Sequence, residues 1–372
     1  MSSVPGTAPG PGAPPGPGTA PGRRNGSVPL RGYSVVRAGR ASFLLHRRSV
    51  AVAVGLLVAL AATVVASLCL GESTVPPGEV VKVVLGRPSP HELVVGEFRL
   101  PRVVVGLLVG LALGLAGALI QTVARNPLAS PDVVGVTWGA TATVVGLMAY
   151  GVVGSTGQAP YAAVAGGLVA GLLVYALAWR RGLHAQRFVL IGIGISVALS
   201  SLTSVFLTKG DGFQAQAAKV WMTGSLNGAG YDQAEWLARV LLAALPVALW
   251  AARAQRSISF DDATAVGLGL RLDRIRLGMA LLGIVLASCA AGAAGPVDFV
   301  ALMAPQIALR LARSAQIPLF CSALTGALVV VLADLIARRL LAPTELPVGV
   351  VTGMVGAPYL MWLLIRSRRG GS

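Results

Sequence analysis

Side chains able to do chemistry are few in this sequence, and they are scattered. His46, His91 and His184 stand far apart with no cysteine or carboxylate cluster beside them, so no metal-ligand spacing is present. Cys69, Cys289 and Cys321 each sit inside an apolar run and read as packing residues, not a disulfide framework. No nucleophile–base pair is apparent, and no Gly-x-x-x-x-Gly-Lys-Ser/Thr loop exists to cradle nucleotide phosphates. The expectation is therefore no enzyme, no metal and no cofactor. Four polar groups remain in apolar surroundings: Arg99, Arg102, Arg338 and Arg339; the carboxylate Asp334; the hydroxyls of Ser196, Ser200, Thr203 and Ser204; and the charged stretch 255–276.

That charged stretch has its own local logic. Ser259 followed three residues later by Asp262 is a capping-box pattern. Asp261 and Asp262 suit the positive end of a helix dipole. The helix runs through Ala265, and Gly267 and Gly269, flanking Leu268, end it after about two turns. Such a piece is too charged and too short to cross a bilayer. It either rests on lipid as an interfacial helix or serves as a docking knob for a soluble partner.

The elements that carry these residues follow from composition. The chain is 55% hydrophobic and 12% charged over 372 residues, which marks a polytopic, all-helical membrane protein. Its 47 glycines suit close helix–helix packing in lipid. The net charge of +16 does not point to nucleic acid, because the arginines are spread through short loops. Ten runs have the length of a span: 50–70, 103–122, 133–152, 161–179, 188–208, 235–252, 277–294, 297–312, 318–337 and 348–365. Residues 1–48 are expected to form a disordered, basic cytoplasmic tail, its first 30 residues rich in Pro, Gly, Ser and Thr. A membrane domain over 49–366 and a short tail at 367–372 follow. With both termini inside, most arginines fall in inward loops, and 255–276 lies in the cytoplasm. Arg99, Arg102, Arg338 and Arg339 break the pattern and fall on the outer face. Asp334, one helical turn before Arg338, is placed to pair with it.

Several strings together carry a resemblance. They are RLPR (99–102), GALIQTVARNPLASPDVVGVTWGA (117–140), WMTGSL (221–226), GPVDFVALMAPQIALRLA (295–312) and LADLIARRLLAPTELPVGVVTGMVGAPYLMWLL (332–364). In this order they resemble the permeases of binding-protein-dependent ABC importers for iron–siderophore and cobalamin uptake. The resemblance covers nearly all of 50–366 and departs from the family at Gln306, where His is usual, and at Ala301, where Gly is usual. It implies a type II importer architecture of about ten helices in a bacterial cell membrane. The permease would pair with a second copy or a related permease, with a cytoplasmic ABC ATPase and with an extracytoplasmic substrate-binding protein or lipoprotein. Ser259, Asp261, Asp262, Ala265, Gly267, Leu268 and Gly269 match the ATPase-coupling segment. Arg99, Arg102 and Arg338 match positions that dock the binding protein, with lipid phosphate as the competing partner. Ser196, Ser200, Thr203 and Ser204 lie on a helix that borders the translocation path, or else bond between helices. The implied cargo is a ferric siderophore, with cobalamin or haem as the alternative. A proton-coupled carrier would need more buried acids than Asp334, and a membrane enzyme would need a catalytic constellation.

Overall fold

The computed structural model describes residues 33–38, 41–71, 73–152, 158–179, 185–258, 262–342 and 344–369. Residues 1–30, Ser259 and Asp261 lie outside them. The chain divides into two units, Met1–Leu45 and His46–Ser372. In the first, strands β1 (Tyr33–Ala38) and β2 (Ala41–His46) pair as a two-stranded sheet. The sequence places these residues in an unstructured tail, yet the first run carries Tyr33, Val35 and Val36, which favour a strand, and the second carries the apolar Phe43, Leu44 and Leu45.

The second unit is helical. Helix α1 (Arg47–Cys69) is followed by α2 (Pro77–Val84) and by a π-helical stretch, Leu93–Arg99, that runs into α3 (Leu100–Ala124). Then come α4 (Val136–Ala149), α5 (Ala159–Ala178), α6 (Ala185–Lys209) and α7 (Gly212–Met222). The chain continues through α8 (Tyr231–Ile258), the short α9 (Asp262–Gly267), α10 (Leu272–Ala294), α11 (Val300–Ala312), α12 (Leu319–Leu340) and α13 (Val348–Arg369). Seven of these, α1, α3 with its π-helical lead, α5, α6, α8, α10 and α12, are long and apolar enough to cross a membrane. Three shorter apolar helices, α4, α11 and the stretch Val348–Leu363 of α13, complete ten positions that coincide with the ten expected spans.

Helices α3, α10 and α12 form the centre and bury most of their apolar surface. Helix α3 comes close to α12 and α11 because it carries Gly106, Gly110, Gly114 and Gly117 on one stripe. A Cβ at Gly110 would overlap the Gly326 backbone, at Gly114 the Ser322 carbonyl, and at Gly117 the Ala301 carbonyl. The Ser322 hydroxyl donates to the Gly114 carbonyl at 2.8 Å, so close approach also satisfies a polar group. Helices α6 and α8 lie outside this centre and leave large apolar side chains uncovered, among them Leu190, Ile193 and Val197 on α6.

At 14 and 13 residues, α4 and α11 are shorter than the roughly 20 residues a bilayer core requires. The irregular backbone leading into them must therefore have its polar groups satisfied by protein. Three motif strings meet there. The Ser225 N–H donates to the Ala294 carbonyl at 2.9 Å, and the Gly349 N–H donates to the Gly224 carbonyl at 3.1 Å. Gly224, at φ 65°, leaves no room for a Cβ against the Pro296 carbonyl.

Candidate functional site

The 255–276 stretch resolves into three pieces. Its ends belong to α8 and α10, and α9 stands between them as a turn and a half of helix. Gly269 takes the left-handed conformation at φ 77°, and the Leu270 N–H donates to the Ala265 carbonyl at 3.0 Å. That is a Schellman cap, the ending anticipated from the glycine at this position. Ala265 is fully buried and seats α9 on the main core, while Thr264, Gly267, Leu268 and Gly269 are exposed. Gln255 donates from its side-chain amide to the Ile317 carbonyl at 3.0 Å and ties the end of α8 to the α11–α12 loop. The result is a firmly seated knob with Leu268 uncovered at its tip.

The arginines sit differently from their sequence expectation. Arg99, Arg102 and Arg338, anticipated on a docking surface, turn inward, and Arg99 and Arg102 are buried. The cause is the C-terminal end of α1, whose last carbonyls have no partner within the helix and carry the negative end of its dipole. Arg99 donates to the carbonyls of Leu68 at 2.8 Å and Ser73 at 2.6 Å. Arg338 donates to the Ser67 carbonyl at 3.3 Å and to its hydroxyl, and Arg339 to the Gly71 carbonyl at 2.8 Å. Asp334 lies between Arg102, at 2.8 Å, and Arg338, at 3.1 Å, so the i,i+4 pair is present and is extended by a third residue. Glu345, on the chain before α13, meets Arg102 at 2.8 Å and keeps 37% of its side chain exposed. The cluster thus fastens α1 and α3 to α12, with Glu345 at its rim.

The hydroxyl series on α6 splits in two. At 3.6 residues per turn, a four-residue step advances about 40° beyond a full turn, whereas a seven-residue step returns to nearly the same face. Ser196 and Thr203, seven apart, are both buried, and Ser204 faces outward. Ser196 donates to the carbonyls of Asp132 and Val133 at 3.2 and 3.1 Å and so fastens the α3–α4 loop. Thr203, Ser200 and Ser204 donate back to carbonyls of their own helix, those of Leu199, Val197 and Ser200. Of the four, Ser196 is the one that bridges elements.

Ser196 also lines a cavity of about 420 Å³ whose wall holds two aspartates not singled out in the sequence. Asp132 comes from the α3–α4 loop, Asp298 from the stretch between α10 and α11, and Trp138, Thr137, Val197, Phe299 and Leu360 complete much of the lining. The Thr137 hydroxyl donates to Asp132 at 2.6 Å. Each acid follows a proline motif at the entry to a short helix, a signal visible in the sequence. Their meeting is a tertiary fact. Nearby, Gln306 donates to the Gln121 side-chain carbonyl at 2.7 Å, and Gln121 donates to the Leu302 carbonyl at 3.1 Å. The departure at Gln306 therefore keeps a buried polar contact between α3 and α11.

Comparison with known proteins places these features in context. The model of the FecCD transport family matches residues 57–366. The ferric enterobactin transport system permease protein FepG of Escherichia coli (strain K12) is 40% identical over 301 residues, 80% of this chain and 91% of that protein. The achromobactin transport system permease protein CbrC of Dickeya dadantii (strain 3937) is 38% identical and spans 90% of this chain and 97% of its own. The iron(3+)-hydroxamate import system permease protein FhuG of Bacillus subtilis (strain 168) is 36% identical over 81% of this chain and 92% of its own. Among solved structures, an inward-facing metal-chelate type ABC transporter superposes with a TM-score of 0.74 at 25% identity, covering 85% of this chain and 99% of that one.

Proposed function

The chain belongs to the FecCD transport family, and from that premise we propose that it carries ferric siderophores into the cytoplasm as the membrane-spanning half of an ATP-driven importer. It is a multi-pass permease subunit of an ABC importer. The observation that carries the cargo assignment is a set of three relatives at 36–40% identity over at least four fifths of the chain, named for ferric enterobactin, siderophore and iron(3+)-hydroxamate transport. Energy would come from a separate cytoplasmic ATPase seated on the α9 knob, where Leu268 and the exposed turn around it offer a small apolar contact on a rigid base. Chemistry on the nucleotide belongs to that partner, and this chain transmits its movement.

The opposite end, which the charge pattern sets outside the cell, would receive an extracytoplasmic binding protein. The arginine cluster supports this by fixing the ends of α1, α3 and α12 in one arrangement, with Glu345 as its exposed member. The uncovered apolar face of α6 is the place for a second permease subunit, and cargo would pass between the two. Both termini would lie in the cytoplasm of a bacterial cell. Co-purification tests the assembly. The chain should bring down the ATPase encoded with it, and Leu268→Glu should release that ATPase while the permease stays folded. Retention of the ATPase by the variant would remove α9 from the interface.

A further inference from the structure

We propose that the end of the bundle where α1 begins holds the phosphate of an anionic phospholipid between Arg48, Arg310 and Arg313. Two contacts bring this end together. The Arg48 side chain donates from Nε to the Leu311 carbonyl at 3.0 Å, which sets it beside the last turn of α11. The Cys321 thiol donates to the Ser49 carbonyl at 3.4 Å, so the first turn of α12 closes on the same spot. Arg310 precedes Leu311, and its guanidinium carbon lies 4.9 Å from the centre of the Trp362 ring on α13. Arg313 ends α11 at φ 46°, and all three arginines are exposed.

The charge around them is of one sign. Helices α1, α11 and α13 and the 313–318 loop contain no acidic residue, and the one acid of α12, Asp334, lies toward its opposite end. Helix α8, tied to that loop through Gln255 and Ile317, has its two acids, Asp232 and Glu235, at its far end. Among the described residues no carboxylate pairs with Arg48, Arg310 or Arg313. The end of the α11 dipole accounts for one of these charges, through the Leu311 carbonyl, and leaves two unanswered. Guanidinium forks match phosphate oxygens. Arg48 and Arg310 are already positioned, by a carbonyl and by a ring, so little side-chain freedom is lost on binding. The occupant is a lipid because the surface continues as hydrocarbon. Exposed Val50, Val54, Leu57 and Val58 follow one another at helical spacing along α1, and Phe320, next to Cys321 in the chain, is also uncovered. An acyl chain lies along that stripe while its phosphate meets the arginines at the level where α1 enters the bilayer. A choline headgroup brings its own cation and forfeits the attraction, whereas a net negative headgroup keeps it.

The site requires only that the chain spans a bilayer, so it stands or falls apart from the cargo. The purified full chain is given equal amounts of phosphatidylglycerol and phosphatidylcholine with identical acyl chains, and retained lipid is counted by native mass spectrometry. It should keep phosphatidylglycerol in preference. Arg310→Gln should reduce that preference about fivefold, the effect of one basic residue at an anionic surface. Arg313→Gly should do the same. Because glycine takes the left-handed backbone without penalty, that variant's unfolding temperature in phosphatidylcholine should not fall. Arg271→Gln removes an exposed charge outside the cluster and should leave the preference as it was. Millimolar inorganic phosphate should not displace the lipid. Equal retention of both lipids, or a preference unmoved by Arg310→Gln and Arg313→Gly, would overturn the site. So would an equal loss with Arg271→Gln, which means diffuse surface charge, or displacement by phosphate, which means a free-anion site.

Discussion

Asp334 shows how one side chain can hold an end of the molecule together. It lies 3% exposed between Arg102 and Arg338, and those arginines in turn reach α1 and Glu345. Replacing it with Ala would leave two guanidiniums without their carboxylate in a buried setting, a loss of about 3–5 kcal/mol. A scan of unfolding temperature in detergent should show this as a marked drop. Glu345→Gln, at the partly exposed rim, should cost at most about 1 kcal/mol. Equal effects from both changes would mean that the cluster is solvated and does not fasten α1. The depth of these arginines was not legible in the sequence. A breach of the positive-inside pattern reports on which side a charge lies, whereas the partners here are the carbonyls at the end of α1 for Arg99 and Arg338 and two distant carboxylates for Arg102.

Helices record the sequence more faithfully. The ten apolar runs survive in the fold because lipid and backbone hydrogen bonding leave a run of that length few alternatives. The Gly269 cap was legible for the same local reason. What escaped was the angular drift along α6, which separates Ser204 from Ser196, and the meeting of Asp132 with Asp298, which depends on how short helices α4 and α11 are entered. Contacts between elements can be tested on α3. Gly114→Leu should overpack its seam with α12, costing about 1–3 kcal/mol or blocking assembly, as judged by yield and thermal unfolding. Gly55, with nothing near its Cβ position, should accept Leu with little change, and loss of folding there would contradict the assigned packing.

At the scale of the whole molecule, the centre built on α3, α10 and α12 is flanked by parts placed to meet partners: the α9 knob, the cluster end with Glu345 and the uncovered face of α6. Residues 1–30 fall outside the family match, which begins at 57, so removing them should leave cargo uptake near normal at equal expression. The claim on which all these assignments depend is iron–siderophore import, and cellular uptake of radiolabelled ferric siderophores tests it most directly. Deleting the gene should abolish accumulation of at least one ferric siderophore, and restoring the full chain should recover it. The Leu268→Glu chain, present at the same level, should fail to restore it. Undiminished accumulation of every ferric siderophore tried in the deleted strain would contradict the account.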